Sequence, residues 1–473
     1  MKNKIIDINK KSFISIVIML EILVIMAILI TYLVPKGMFG TITDSAGNTI
    51  TDYNNFISLP NSKGINIFKG LFAFVLVLFS EDGLSLIMLS LFLLTISGTF
   101  QVMNDNLGMK VIVNKLVEKF KNNKKLLISV ITLAFMIFGS FFGLFEEVLT
   151  LLPLIVMVTI SIGYDGYLGF VICIVATGFG FASALTNPFT IITASNIIGA
   201  SPMANFWFRI IVFLIMYGLI MAYIFNHMKR ISKDPTKSPT YEYDLSKKEM
   251  INEEVVIENE KLISRTYITM LTLILSCIII VTSIESLRGY TIVFLIALFL
   301  ISGICSGVII NKNISITFKS FIKGVLATLP TILLVLMASS IKYILEEGMI
   351  IATIAHSIST LIEGKNILLV ALIIYVIILV LEFFISSSTA KSVFVMGILA
   401  FVNLDLSKEL IVLIYLFGDG FTNVLFPTSP VLLIGLSMVG MNYFSWLKKS
   451  KWLFIINFLI VIGLILFAVA IKY

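Results

Sequence analysis

The chain has 473 residues, 59% of them hydrophobic and only 13% charged, with a formal net charge of +7. A soluble domain sits near half apolar and a quarter charged, so a water-soluble globular fold is excluded. The Lys and Arg residues lie mostly beside the ends of long apolar runs, where they orient a membrane chain, so the positive balance is no nucleic-acid footprint.

Roughly nine runs reach the ~20 apolar residues that span a bilayer as a helix. Lipid offers backbone N–H and C=O groups no partner, so helices are the expected form. Period-2 alternation of the barrel kind is absent. The expected fold is therefore an all-α polytopic membrane protein. Cys173, Cys277 and Cys305 all lie inside apolar runs without a CxxC, so neither a disulfide framework nor a metal site is expected. No GxxxxGK[ST], HExxH or GxSxG occurs, which leaves no ATP motor and no hydrolase signature, and no catalytic residue or organic cofactor is expected.

In chain order, Lys2, Lys4, Lys10 and Lys11 precede the run Phe13–Val34. That run is too long for a signal peptide and carries Glu21, so it reads as a retained first helix with a cytoplasmic N-terminus. Residues 1–65 comprise this tail, the helix and a polar, Lys-poor outer loop from Pro35. The first half, 66–226, follows. Leu84–Met103 returns inward to the basic stretch Lys110–Lys125. The run 126–162 is too long for one crossing, and loop charges require it to enter and leave on one side. It is a re-entrant hairpin with its turn near Gly139–Glu147. The run 167–198 is broken at Pro188, because proline removes a ladder donor and frees carbonyls. Such a break survives in a membrane only where protein or a cavity surrounds it. Phe206–Tyr223 then leads inward to a hydrophilic cytoplasmic linker, 227–265, and one linking transmembrane helix occupies 266–286.

The second half, 287–473, repeats this order upside down. Tyr290–Ile310 and Gly324–Ile344 cross, and Gly348–Glu363 is amphipathic. A second hairpin occupies 367–402, interrupted by Glu382 and Ser386–Thr389. A second broken helix, 410–438, is interrupted at Gly418–Gly420 and Pro427, and Trp452–Ala470 crosses last. The breaks read ALTNPFT and FTNVLFPTS, each with Thr-Asn and a nearby proline. Interruptions at matching positions of two inverted repeats point to a transporter's binding site.

The candidate site residues follow. Glu146 and Glu147 stand at the first hairpin tip, where a carboxylate costs about 2.5–3.5 kcal/mol to place at membrane depth. They are candidate ligands for Na⁺, H⁺ or a substrate amino group; the alternative is that the tip reaches water. Thr186, Asn187 and Pro188, with Thr422, Asn423, Thr428 and Ser429, offer side chains and unwound backbone to a substrate, or they merely cap the broken helices. Ser386, Ser387 and Ser388 form the second tip, as substrate ligands or as helix-packing hydroxyls. Asp419 is a cation or proton site, and Glu146 a second candidate for ion coupling. Lys391 is placed to meet a substrate carboxylate or Glu382.

At GLFEEVLTLLP, GFGFASALTNPFT, EFFISSSTAKSVF and LFGDGFTNVLFPTSP the chain resembles the YfcC family. That family belongs with DcuC-type C4-dicarboxylate carriers and arginine–ornithine type antiporters in the ion transporter superfamily. The resemblance runs from about Asn66 onward. It implies a scaffold domain, a transport domain with two opposed hairpins, and a homodimer in the bacterial cytoplasmic (inner) membrane. Carried over residue by residue, it implies a binding region of Glu146, Glu147, Asn187, Pro188, Ser386, Ser388, Asp419, Thr422, Asn423, Thr428 and Ser429. The chain departs from the family at the second tip, where Ile385 replaces a proline, Ser387 a glycine, and Lys391 is unusual. The expected function is secondary transport, by symport or antiport, of a small carboxylate-bearing metabolite. A basic amino acid is favoured because acids outnumber bases among the candidate residues; the alternative is a C4-dicarboxylate. A channel would need no paired breaks.

Overall fold

The computed structural model describes residues 10–43, 49–60, 63–81, 83–120, 123–252, 259–288, 290–362, 365–385, 388, 391–392, 395–396, 399 and 406–473. Among them, eight helices are long and apolar enough to cross a membrane. The helices are α1 (Lys10–Leu33), α2 (Gly83–Asp105), α3 (Gly108–Lys119), α4 (Lys124–Ile137), α5 (Leu152–Ser161), α6 (Gly166–Ala182) and α7 (Pro188–Ile198). After these come α8 (Phe206–Lys233), α9 (Tyr241–Asn252), α10 (Glu260–Ser283), α11 (Thr291–Asn311), α12 (Ile314–Glu347) and α13 (Ile351–Ile362). The chain closes with α14 (Ile367–Phe384), α15 (Lys408–Gly420), α16 (Pro430–Met438) and α17 (Tyr443–Ala470). One side of α1 leaves Ile18, Ile22, Ile25 and Leu29 exposed, and α17 does the same with Ile455, Leu459 and Phe467. These are surfaces that lipid covers at no hydrophobic cost.

Contacts sort the helices into two groups. The helices α1, α2, α10, α11 and α12 pack together, with α2 against both α11 and α12. The other group holds α4 to α8 and α14 to α17, where α6 packs on α4 and α15, and α14 on α15 and α17. The amphipathic α3 bridges them, touching α5 and α10, whereas α13 touches α14 and the β1–β2 hairpin. In each half the order is amphipathic helix, hairpin limb, interrupted helix, long last helix. The first hairpin is α4, a π turn at Phe138–Phe142, a tip at Gly143–Glu146, and α5. Most of the second hairpin's returning limb lies outside the described residues.

Three stretches gain detail that the sequence did not give. The loop after α1 holds a hairpin in which β1 (Gly37–Thr43) pairs antiparallel with β2 (Thr49–Ser58). Its alternating Thr and Ile residues suit a pleated surface, and Phe56 stacks on His356 of α13 with ring centroids 4.2 Å apart. The interruption expected at Gly418–Gly420 falls at the end of this stretch, since α15 stays helical through Gly420 and ends there. The third concerns the linker. It is largely helical, with α8 continuing to Lys233, α9 at its centre and α10 starting at Glu260. His227, the first residue of that linker, is accordingly buried within α8.

The linker is tied to the membrane domain through the first turn of α6. Four N–H groups at a helix start lack intrahelical partners. Here Asp165 accepts from Leu168 N (2.9 Å), Asp244 of α9 from Gly166 N (2.8 Å), and Thr240 Oγ1 from Tyr167 N (3.2 Å). Ser238 and Thr240 hydroxyls donate to Asp244 in turn, each at 2.9 Å. His227 Nε2 meets Asp165 at 2.8 Å. Burial, and then the negative charge of Asp165, push the Asp244 carboxyl up to about 7. Its value docked lies above its ordinary one. Docking therefore takes up a proton, is fullest at acidic pH, and weakens as pH rises through about 7. Hydrogen exchange over 238–252, corrected for intrinsic rates, should accordingly be slower near pH 6 than near pH 8. Asp244→Asn should remove most of that difference and slow exchange near pH 8. Faster exchange in the variant would show that the carboxylate charge favours docking.

Candidate functional site

In the first hairpin, α4 runs into its π turn, and Gly143, in the left-handed region at φ 68°, reverses the chain. Glu147 is buried, and its carboxylate accepts from Phe145 N at 3.2 Å; Glu146 is half-buried. Neither has an ion-pair partner among the described residues. The tip is packed inside protein rather than set in water.

Beside this turn α6 ends at Ala182, the chain unwinds through Ser183–Asn187, and α7 resumes at Pro188. Proline suits a helix start because its missing N–H would be unpaired there anyway. Asn187 Oδ1 accepts from Phe189 N (2.9 Å), capping α7, and its Nδ2 donates to Gly139 O (3.2 Å). Thr186 Oγ1 donates to Phe141 O (3.0 Å). Ser140 O accepts from Leu185 N and Thr186 N, and Ser140 Oγ donates to Ser183 O. The freed backbone of the first break is thus satisfied by the hairpin's π turn.

The second break follows α15. Thr422 Oγ1 donates to Gly418 O (2.6 Å) and Asn423 Nδ2 to Asp419 O (2.9 Å), closing the helix's last carbonyls. Trp446 Nε1 and Tyr443 OH, both of α17, reach Val424 O (3.1 Å) and Leu425 O (3.0 Å). Thr428 is buried, and Ser429 Oγ caps α16 ahead of Pro430. Thr-Asn therefore plays opposite parts: Asn187 caps a helix start, whereas Thr422 and Asn423 close a helix end.

At the second tip, Ser386 and Ser387 lie outside the described residues. Ser388 Oγ donates to Asp419 Oδ1 (3.1 Å), and Tyr415 OH to Ser388 O (2.6 Å). Lys391 is fully buried between two carboxylates. Its Nζ lies 2.5 Å from Asp419 Oδ1, pairs with Glu382, and donates to Ile385 O (3.2 Å). Sequence reasoning left Lys391 open between a substrate carboxylate and Glu382 and did not join it to Asp419. The only available signal was three charges inside apolar runs.

These pieces converge. A side chain at Gly178 would meet Val424 of the second break at 2.6 Å and Phe145 of the first tip at 3.5 Å. A Cβ at Gly420 would lie 2.2 Å from the Ala182 backbone. The half-helices α6 and α15 therefore end against each other. Their carbonyl ends carry partial negative charge, which favours a cation at the junction.

The family description "C4-dicarboxylate anaerobic carrier", DcuC, matches residues 13–470, and the chain belongs to that family of transporters. It is thereby a multi-pass membrane protein. The Escherichia coli (strain K12) protein named "Putative basic amino acid antiporter YfcC" is 24% identical, over 93% of this chain and 94% of its own length. An uncharacterized protein of Haemophilus influenzae is 25% identical over 80% of this chain and 75% of its own. Among solved structures, the Alcanivorax borkumensis YdaH transporter aligns over 96% of this chain and 98% of its own at 16% identity and a TM-score of 0.40. That likeness is too distant to inform the present fold.

The junction can be probed through its glycine. In Gly420→Ala the new methyl meets backbone, which cannot step aside, and overpacking of this kind costs about 1–3 kcal/mol. Thermal unfolding in detergent should show a clear fall in midpoint. Gly218→Ala in α8, where nothing lies within 4 Å, should be neutral or slightly stabilising. Equal midpoints for Gly420→Ala and wild type would mean the half-helices do not abut.

Proposed function

We propose that this chain is a secondary antiporter for a basic amino acid in the bacterial cytoplasmic membrane, working as a homodimer with its N-terminus in the cytoplasm. The observation that carries the substrate class is the charge inventory of the convergence region. Glu146 and Glu147 have no ion-pair partner among the described residues, Lys391 is already shared by Glu382 and Asp419, and the buried Arg209 is spent on backbone carbonyls, Leu185 O of the first break among them. A substrate bringing a net positive group is drawn to such a site. A C4-dicarboxylate, which the family description names, would meet uncompensated repulsion there.

The reading assigns Glu146 and Glu147 to the substrate's cationic groups. It assigns Pro188, Ser386, Ser387, Thr428 and Ser429 to its α-carboxylate. Two inverted repeats, with hairpins entering from opposite sides, make the region reachable from each face in turn. Rocking of the hairpin-bearing helices against the α1, α2, α10, α11 and α12 group would alternate that access. In such carriers access changes without a continuous pore, which favours a carrier over a channel. Glu146 remains the candidate for a coupling proton or Na⁺.

Purified protein in liposomes loaded with arginine or ornithine should show saturable counterflow of either. Glu146→Gln and Glu147→Gln should each lower apparent affinity about tenfold or more while leaving the melting midpoint near wild type. Exchange of succinate but not arginine would replace the proposal with dicarboxylate carriage. Flux that never saturates would mark a channel.

A further inference from the structure

We propose that Lys391 is a tethered cation: its ammonium fills, permanently, the oxygen-lined position that a free monovalent coupling ion would otherwise take. The inference rests on the carrier reading above and deepens it, since it concerns how that same region is held neutral enough to move. Lys391 and Asp419 are 0% exposed, Glu382 is 2% and Ile385 4%, and Ser388 is half-buried. An ammonium has three N–H donors and no acceptor. Asp419 Oδ1 on α15 and the carbonyl of Ile385, where α14 ends, lie within hydrogen-bond reach of it, and Glu382 on α14 stands against it as an ion-pair partner. Two carboxylates, one backbone carbonyl and the nearby Ser388 hydroxyl are the hard oxygen ligands a bare alkali cation takes. The side chain supplies instead a cation that cannot dissociate.

The charge count gives the consequence. Two carboxylates and one ammonium leave the cluster at one net negative charge, and Asp419 Oδ2 is buried without a hydrogen-bond partner. Removing the ammonium leaves two unpaired like charges in a dry site, which is strongly unfavourable unless a cation is recruited. The native protein therefore needs no Na⁺ at this position, and a Lys391→Met variant does.

The test is thermal unfolding of full-length protein in detergent, in equal concentrations of choline, sodium or lithium chloride. This readout does not depend on the transported substrate, so it stands or falls apart from the basic amino acid assignment. Wild type should melt at the same temperature in all three salts. Lys391→Met should melt lower in choline and recover by several degrees in sodium or lithium. The double variant Glu382→Gln/Lys391→Met, which restores one net negative charge, should lose that salt response and melt above the single variant in choline. A sodium-specific shift in wild type overturns the proposal, because the position would then be free to bind the ion. So does a single variant that responds to no salt or unfolds in all three, because Lys391 would then act only as a packed ion pair.

Discussion

Every interruption of a helix inside a membrane releases backbone groups that lipid cannot satisfy, and the arrangement of this protein follows from where those groups go. At the first break they go to the π turn of the adjacent hairpin, through Ser140, Thr186 and Asn187. At the second they go back to the helix itself, through Thr422 and Asn423, and forward to Trp446 and Tyr443 of the last helix. Each buried unpaired group would cost a few kcal/mol. These bonds fix the hairpin against the broken helix as one body, and that body carries the candidate site.

The same constraint shapes the electrostatics. Two half-helices end against each other at Ala182 and Gly420, so their carbonyl ends add negative potential to a region already rich in acids. Lys391 offsets part of it from within the second hairpin. Glu146 and Glu147 are left as the charges that a ligand or proton must answer. Buried charges of this kind are poor evidence for stability. Their persistence in an apolar chain fits a role in selecting and moving a charged substrate.

Movement also needs a boundary, and the packing supplies one. The helices bearing the breaks and hairpins pack mainly among themselves, while α1, α2, α10, α11 and α12 form a second set, and the amphipathic α3 touches both. The linker helix α9 seals the start of α6 through Asp244, so the linker is coupled to the very helix whose far end forms the first break. The β1–β2 hairpin performs a similar attachment elsewhere, seating Phe56 against His356 of α13.

Hydropathy, loop charge and proline placement made the helical spans, the two overlong runs and the two breaks legible from sequence, because membrane thickness and the positive-inside rule act on local composition. Pro188 announced its break, and Glu146 with Glu147 announced a tip. The roles of individual side chains were not legible. Asn187 and Asn423 sit in the same Thr-Asn dipeptide yet cap opposite helix ends. Gly418 and Gly420 stand at the end of α15, and they also serve close contact with Ile378 and Ala182, which the string does not show. Asp165, Asp244 and His227 lie on three separate elements, and nothing in their spacing joins them. Nor does the string relate Lys391 to Asp419, 28 residues away. Span and topology are properties of local solvation and are written along the chain. Which charge meets which is set by distances between helices, and only their packing decided that Lys391 stands between Glu382 and Asp419.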